Sequence, residues 1–135
     1  MRLQKTITSA ELLALYTTPI ELIPAPKTGN VVDTTKAILI NSIKATLSAG
    51  TAYDGVGAGE NLVISYTNAS GQVIQTFETD GFLTLATGAK TINKPNVAPL
   101  LITAGANVVA HLLSGNVATG TGTLSFDIEY DIVVL

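Results

Sequence analysis

Hydrophobic and polar residues alternate most regularly in the last twelve residues of the chain. Side chains of a strand point alternately to its two faces, so this pattern predicts a strand with one face in a core. The expected core face consists of Leu124, Phe126, Ile128, Tyr130, Ile132 and Val134. The opposite face carries Ser125, Asp127, Glu129 and Asp131. Val133 and Leu135 are apolar on that polar face, and we expect the strand to run into a subunit interface there.

Similar patterns predict seven or eight strands in all, separated by turn signals. The predicted strands span residues 19–24, 36–47, 62–67, 72–79, 81–87, 100–103, 107–113 and 124–135. Prolines at both ends make residues 19–24 an edge strand, and Asn68–Gly71 forms a hairpin turn. Residues 25–35 and 90–97 are expected to be loops. Because strands do not alternate with helices, the chain is predicted to be all-β and mainly antiparallel, a jelly-roll or related Greek-key sandwich.

One short helix is predicted near the start of the chain. Thr8 and Glu11 have the spacing of a capping box, and Ala10–Leu15 contains good helix formers. We expect residues 1–26 to form an extended arm that carries this helix. Residues 27–135 should form the sandwich of what is a single domain overall. Deleting residues 1–18 is then expected to leave the sandwich folded.

The composition combines 47% hydrophobic with only 13% charged residues. An average soluble domain has about 25% charged residues. We therefore expect part of the surface to be buried against other copies or a larger assembly, the alternative being a neutral surface rich in Thr and Asn. A net charge of −3 and seven scattered basic residues argue against nucleic acid. No membrane span and no secretory signal are expected, and the absence of cysteine excludes disulfides and thiolate sites.

The three carboxylates Asp127, Glu129 and Asp131 are the densest polar group in the sequence. Same-face neighbours on a strand lie about 6.6–6.8 Å apart, too far to share a proton or to hold a small cation without further ligands. Glycosidase carboxylates can be separated by about 6.5–9.5 Å, but they need a cleft with sugar-binding rings, and the chain has no Trp. The spacing favours a polar sheet face, with metal binding and catalysis as alternatives.

Two other features suggest chemistry at first reading. His111 is the single histidine and lies in a predicted half-buried strand, without the Gly-x-Ser-x-Gly elbow of a hydrolase. The glycine-rich residues 54–60 lack the Lys-Ser/Thr of a phosphate-binding loop and lead into a strand. We therefore expect a structural histidine and an inter-strand loop, with no catalytic residue, cofactor or metal site.

Several segments of the sequence resemble a group of small virion proteins of tailed bacteriophages, the capsid decoration (cement) proteins. The segments are residues 7–15, residues 18–26, Ala58–Leu62, and Gly120–Leu124 with the run that leads to Tyr130. The resemblance implies a non-enzymatic homotrimer that binds the major capsid protein and clamps neighbouring capsomers. It implies synthesis in the bacterial cytoplasm and a final place on the capsid surface. Lys27–Asn30 departs from a shorter, glycine-led turn in the group.

In this interpretation the N-terminal arm lies along the capsid. The expected interface residues are Leu12, Leu13, Leu15, Ile20, Leu22, Val133 and Leu135. Two other functions remain open. One is a tail or head-fibre adhesin whose loops bind a host receptor. The other is a carbohydrate-binding or hydrolytic sandwich that uses Asp127, Glu129 or Asp131.

Overall fold

The structure, a computed structural model, describes residues 1–55, 59–84, 88–96 and 101–135. Within these ranges it contains one helix, α1 (Ser9–Leu13), and ten strands. The strands are β1 (Arg2–Ile7), β2 (Ile20–Ile23), β3 (Lys27–Thr28), β4 (Val31–Val32), β5 (Lys36–Leu47), β6 (Leu62–Tyr66), β7 (Val73–Phe77), β8 (Lys90–Pro95), β9 (Val108–Leu112) and β10 (Leu124–Val134). The prediction of an all-β, antiparallel fold with one short helix is confirmed.

Eight of the strands form two four-stranded antiparallel sheets. The first sheet has the order β1-β10-β5-β8 and the second has the order β2-β9-β6-β7, while β3 and β4 form a separate hairpin. Apart from that hairpin, the pairing is nested. The first strand pairs with the last, the second with the one before it, and so on inward to the hairpin of β6 and β7.

One apolar core cluster draws side chains from both sheets. Phe126 of the first sheet and Phe77 of the second are buried, with ring centroids 6.4 Å apart. Tyr66 of the second sheet donates its Oη hydrogen to the carbonyl of Ile38 in the first, over 2.5 Å. Each large apolar side chain buried in this way stabilises the fold by roughly 1.5–3 kcal/mol before entropy is subtracted.

The first strand, β1, is absent from the sequence-based prediction, and its presence changes the expected role of the N-terminal arm. β1 pairs with β10 along its whole length, and Ile7, Leu12 and Leu15 are buried in the core cluster. The predicted helix and its capping box are confirmed. Thr8 Oγ1 accepts a hydrogen bond from the N–H of Glu11, and Glu11 Oε2 accepts one from the N–H of Thr8. Removing residues 1–18 would delete an edge strand and three core side chains, so we now expect that deletion to unfold the sandwich rather than leave it folded.

The remaining predicted elements are partly confirmed. β5, β6, β7 and β9 lie within the predicted strands, and β2 is an edge strand as expected. Residues 90–97, predicted to be a loop, contain β8, and the predicted loop 25–35 contains the β3–β4 hairpin. Residues 81–84 form a turn rather than a strand, and residues 101–103 are not a strand either. Residues 85–87 and 100 of those two predictions lie outside the described ranges.

The core face of the last strand is shorter than its pattern predicts. Leu124, Phe126 and Ile128 are fully buried, but the exposed fraction rises to 36% at Ile132 and 75% at Val134. β1 pairs with β10 only as far as Glu129, so beyond that point β10 lies at the margin of the first sheet.

Candidate functional site

The outer face of the first sheet is a regular grid of polar side chains. Antiparallel pairing aligns one hydroxyl from each strand in a row, which consists of Thr6, Ser125, Thr46 and Thr91. Thr6 Oγ1 lies 3.1 Å from Ser125 Oγ, and Thr46 Oγ1 lies 3.0 Å from Thr91 Oγ1. Each cross-strand hydroxyl pair of this kind stabilises a sheet by roughly 0.2–1 kcal/mol relative to a pair of alanines. The row therefore helps to fix the register of the sheet.

The next rows of this face carry its charges. Gln4, Asp127, Lys44 and Asn93 align in one row, and Arg2, Glu129 and Ser42 align in the next. Arg2 donates to Asp127 through both Nε (2.8 Å) and Nη2 (2.5 Å). The hydrogen bond from Arg2 lowers the pKa of Asp127 to about 2, against the smaller opposing effect of desolvation.

The three predicted carboxylates do lie on one face of β10, but a bulge in the neighbouring strand β5 shifts the pairing between Glu129 and Asp131. The register between β10 and β5 shifts after Glu129, which leaves Asn41 as the extra residue of β5. Asn41 donates its Nδ2 hydrogen to Asp131 Oδ2 over 3.0 Å. Two of the three carboxylates are thus bonded to neighbouring side chains, and the described residues contain no group of three acidic, His or Cys side chains placed to hold a metal ion.

A shallow depression of about 350 Å³ lies on this polar face. Its lining consists of Arg2, Ser42, Lys44, Asn93, Asp127 and Glu129. A second depression of similar volume adjoins it around Gln4, Thr6 and Ser125. The lining can exchange hydrogen bonds with a polar ligand, but none of the six residues of the first depression offers a ring for stacking on a sugar.

The apolar counterpart lies at the far end of the same sheet. We use the name apolar end for Val31, Val32, Ile132, Val134 and Leu135. All five side chains are exposed, including 72% of Val31, 75% of Val134 and 63% of Leu135. They belong to one region, because Val134 pairs with Lys36 and the N–H of Leu135 bonds to the carbonyl of Thr35, just after the β3–β4 hairpin. Clustered exposed apolar side chains are typical of interaction sites.

Asp33 holds the hairpin that carries two of these valines. Its carboxylate accepts from the hydroxyls of Thr28 and Thr35, both over 2.6 Å, and from the N–H of Thr35 over 2.9 Å. Lys36 Nζ lies 3.2 Å from the same carboxylate. These hydrogen bonds, that of Thr28 above all, hold the pKa of Asp33 far below its usual range. The hairpin is therefore held in one position by a local network.

The seven expected interface residues fall into three sets in the structure: one is buried in the core, and the other two lie on separate parts of the surface. Leu12, Leu15 and Leu22 are core residues and offer no surface. Leu13 and Ile20 are half-buried, and Ile20 lines an apolar groove of about 310 Å³ beside α1 with Ala10 and Ala14. Val133 is half-buried and Leu135 is exposed, at the other end of the molecule.

The distance between these two groups follows from the pairing of the strands. α1 follows Ile7, which pairs with Leu124 at the start of β10. Val133 is nine residues further along β10, about 30 Å away at the usual strand rise. The interface predicted from the sequence did not include four exposed apolar residues, Val31, Val32, Ile132 and Val134. The adjacent Val31 and Val32 in a turn-rich segment were the one signal available.

His111 is buried, and so is the whole of β9, which was predicted to be half-buried. Its Nε2 lies 3.1 Å from Ser65 Oγ, and Ser65 donates its own hydroxyl hydrogen to the carbonyl of Asn68. Asn68 opens the turn between β6 and β7, so this chain of hydrogen bonds fixes the turn. The glycine-rich segment 54–60 is described only in part, because residues 56–58 lie outside the described ranges.

No protein-family model matches the chain, and no curated protein matches it. Among solved structures, the chain is similar to a chain of the cyanophage Pam1 capsid asymmetric unit. That likeness covers 96% of this chain and 80% of the other, with 9% sequence identity and a TM-score of 0.48. The likeness is distant, and the case for a function rests on the residues of this chain. Over the described residues, no helix is long and apolar enough to cross a membrane.

Proposed function

We propose that this protein is a non-enzymatic virion structural protein that decorates the bacteriophage capsid. In this proposal it forms a homotrimer on the outer surface of the head and clamps neighbouring capsomers by binding the major capsid protein. The observation that carries the proposal is the apolar end, where five exposed apolar side chains lie on a hairpin and strand end held in place by hydrogen bonds. Such a surface in a chain with 13% charged residues is suited to permanent contact with protein.

Two ends of the molecule offer surfaces for two different partners. We assign the apolar end to contacts between copies of this chain. We assign the groove beside α1, with Leu13 and Ile20, to the capsid. The start of α1 lies beside Leu124, about 30 Å from Val133 along β10, so one subunit can hold both partners at once. The nested strand pairing supports a jelly roll among the sandwiches that the sequence left open.

The capsid contact is tested by filling the groove. Ala10 is exposed on α1 and lines the groove, so Ala10→Trp should block docking without disturbing the core. We expect at least about a tenfold loss of affinity for purified capsids that lack this protein, measured by co-sedimentation and by occupancy in electron micrographs. Val73→Trp is the matched control, because Val73 is 45% exposed on β7, at the opposite edge of the second sheet.

Undiminished binding by Ala10→Trp would remove the groove from the proposed contact. Failure of the wild-type protein to bind capsids at all would overturn the decoration role. Electron microscopy of virions in which this protein is labelled gives a second test. A label on the tail instead of the head would favour the adhesin function.

A carbohydrate-binding role is the second candidate, and the polar depression on the first sheet is the observation that favours it. Lys44, Glu129, Ser42 and Asn93 there can bond to sugar hydroxyls. The triple substitution Asp127→Asn, Glu129→Gln and Asp131→Asn should abolish glycan binding measured on an array of bacterial surface polysaccharides. A wild-type protein that binds no glycan on that array rejects this candidate.

A further inference from the structure

The last residues of β10 present an open strand edge. β1 pairs with β10 up to Glu129, and the N–H of Tyr130 still bonds to the carbonyl of Met1. Leu135 directs its N–H to the opposite side, toward Thr35 beside β5. Because main-chain groups alternate along an antiparallel strand, Ile132 and Val134 direct their N–H and C=O groups away from β5. Among the described residues, no strand lies on that side of them.

This edge differs in its side chains from three of the four outer edge strands of the sheets, the exception being β7. Those three edges carry charges or prolines, which discourage the addition of another strand. The residues concerned are Lys90, Lys94 and Pro95 on β8, Arg2 and Lys5 on β1, and Pro19 and Pro24 beside β2. The end of β10 carries Ile132, Val133 and Val134 instead. An open, apolar edge selects an extended apolar segment, because only a strand satisfies its main-chain groups.

The chain itself contains such a segment in the β3–β4 hairpin. Val31 and Val32 are exposed on a hairpin that is already extended and already held by Asp33, so little conformational entropy is lost when it binds. The charges also match. Lys27 is exposed on the hairpin, and Asp131, which bonds to Asn41 and lies 3.8 Å from the Met1 amine, is still exposed at the start of the open edge.

We infer that the β3–β4 hairpin of one copy adds to the open edge of β10 in the next copy. The inference rests on the proposed homo-oligomer and names its contact. The donor and the acceptor are different elements of the apolar end, so the contact is heterologous, and the proposed homotrimer requires that three such contacts close into a ring. In that ring one of the two valines lies beside Ile132 and Val134 of the neighbouring copy, and the other lies on the opposite face of the sheet, because consecutive strand residues alternate.

Cross-linking tests the direction of the contact, since the chain has no cysteine of its own. Val31→Cys and Val134→Cys proteins, mixed and treated with a short bismaleimide, should give a covalent heterodimer. Each variant alone should remain uncross-linked, and the double variant should give closed covalent oligomers. Leu113→Cys, 59% exposed at the other end of the second sheet, is the control partner for Val31→Cys and should give no product. A Val134→Cys homodimer, or no product from the mixture, overturns the inference.

A main-chain variant tests the strand pairing separately. Val134→Pro removes the N–H that faces the open edge, while pairing with β5 uses Val133 and Leu135 and is kept. We expect light scattering to show a monomer with an unchanged circular dichroism spectrum, while Val134→Thr, which keeps the N–H, stays at least partly associated. An unchanged oligomer in Val134→Pro, or a wild-type monomer at the highest soluble concentration, overturns the inference. If the cross-links form as expected but the protein does not bind capsids, the proposed function fails and this contact stands.

Discussion

The two sheets of the sandwich use their outer faces in opposite ways. In the first sheet, β5 and β10 alternate between core residues and a hydrated grid of hydroxyls and charges. In the second sheet, every residue of β6 and β9 is buried. Val63, Ser65, Val109 and His111 lie on the side of those strands that the main core cluster does not include, yet they are 5% exposed or less.

The difference shows that one sandwich can contain a surface sheet and an interior sheet. A strand with water on one side must alternate, whereas a strand covered on both sides reads as a continuous apolar run. β6 reads Leu-Val-Ile-Ser-Tyr and β9 reads Val-Val-Ala-His-Leu, and both lack a charge. The first sheet therefore supplies the exposed polar face, while the second sheet supplies stability.

The most severe test of this contrast places the same charge on both outer faces. Val63→Asp buries a carboxylate without a partner and should destabilise the fold by about 4 kcal/mol or more. Thr91→Asp, on the exposed hydroxyl row, should change the free energy of unfolding by no more than about 0.5 kcal/mol. Urea denaturation followed by circular dichroism measures both. Similar losses in the two variants would show that the outer faces are equivalent.

A smaller effect is expected where the two sheets meet. Phe126→Ala removes a ring that is 1% exposed and packs near Phe77, which should cost about 3–5 kcal/mol. Phe126→Leu keeps most of the volume and should cost about 1 kcal/mol. If thermal unfolding places the two variants within error of each other, Phe126 does not hold the sheets together as described.

The hydrogen bond between the sheets gives a test in alkali. Tyr66→Phe leaves the carbonyl of Ile38 without its donor and should cost about 1–3 kcal/mol at neutral pH. Burial raises the pKa of Tyr66 to about 12. The contribution of Tyr66 to the stability of the wild-type protein should therefore be fully present below pH 10 and be lost as the pH rises through 12. Tyr66→Phe should lack that part of the loss. Tyr16→Phe, at an exposed ring, is the control and should match the wild type.

The smallest expected effect is in acid, on the polar face. The pKa of Asp127 is lowered to about 2 by Arg2, so its contribution to stability is present above the ordinary value near 3.8 and is lost as the pH falls toward 2. Asp127→Asn should lower the unfolding midpoint only slightly at pH 7, because the pair is exposed to solvent, and should converge with the wild type as the pH falls to 2. A difference between the two proteins that stays the same from pH 7 down to pH 2 would mean that Asp127 has a structural role beyond its charge.

The sequence predicts the interior of the fold better than its edges. β5, β6, β7 and β9 are rich in β-branched residues, and these were recognised. β1 and β8 were missed because an exposed edge is protected by lysine, arginine and proline, the residues that otherwise indicate loops. Edge protection therefore conceals edge strands from sequence-based prediction.

The turn at residues 81–84 was misread for a related reason. Phe82 and Leu83 suggested a strand, but their N–H groups bond back to the carbonyl of Thr79, and both side chains fill the core from a turn. These two positions are apolar because their side chains are buried, not because they belong to a strand. A hydrophobic run without alternation does not reveal the backbone conformation that carries it.

The candidate surfaces were predicted unevenly. The polar row on β10 follows directly from its period of two, and two of its three carboxylates proved to be bonded to neighbouring side chains. The exposure of Val134 was not predictable, because it depends on which distant parts of the chain pack over the end of β10. A local pattern identifies the face of a residue, but not whether another element covers that face.

The nested pairing of the strands also determines when the protein can fold during its synthesis. β10 lies between β1 and β5, so the first sheet stays incomplete until the ribosome has released the last strand. Such long-range pairing is typical of slow folding. Until then, the apolar faces of β1 and β5 lack their common partner, so the nascent chain exposes apolar surface.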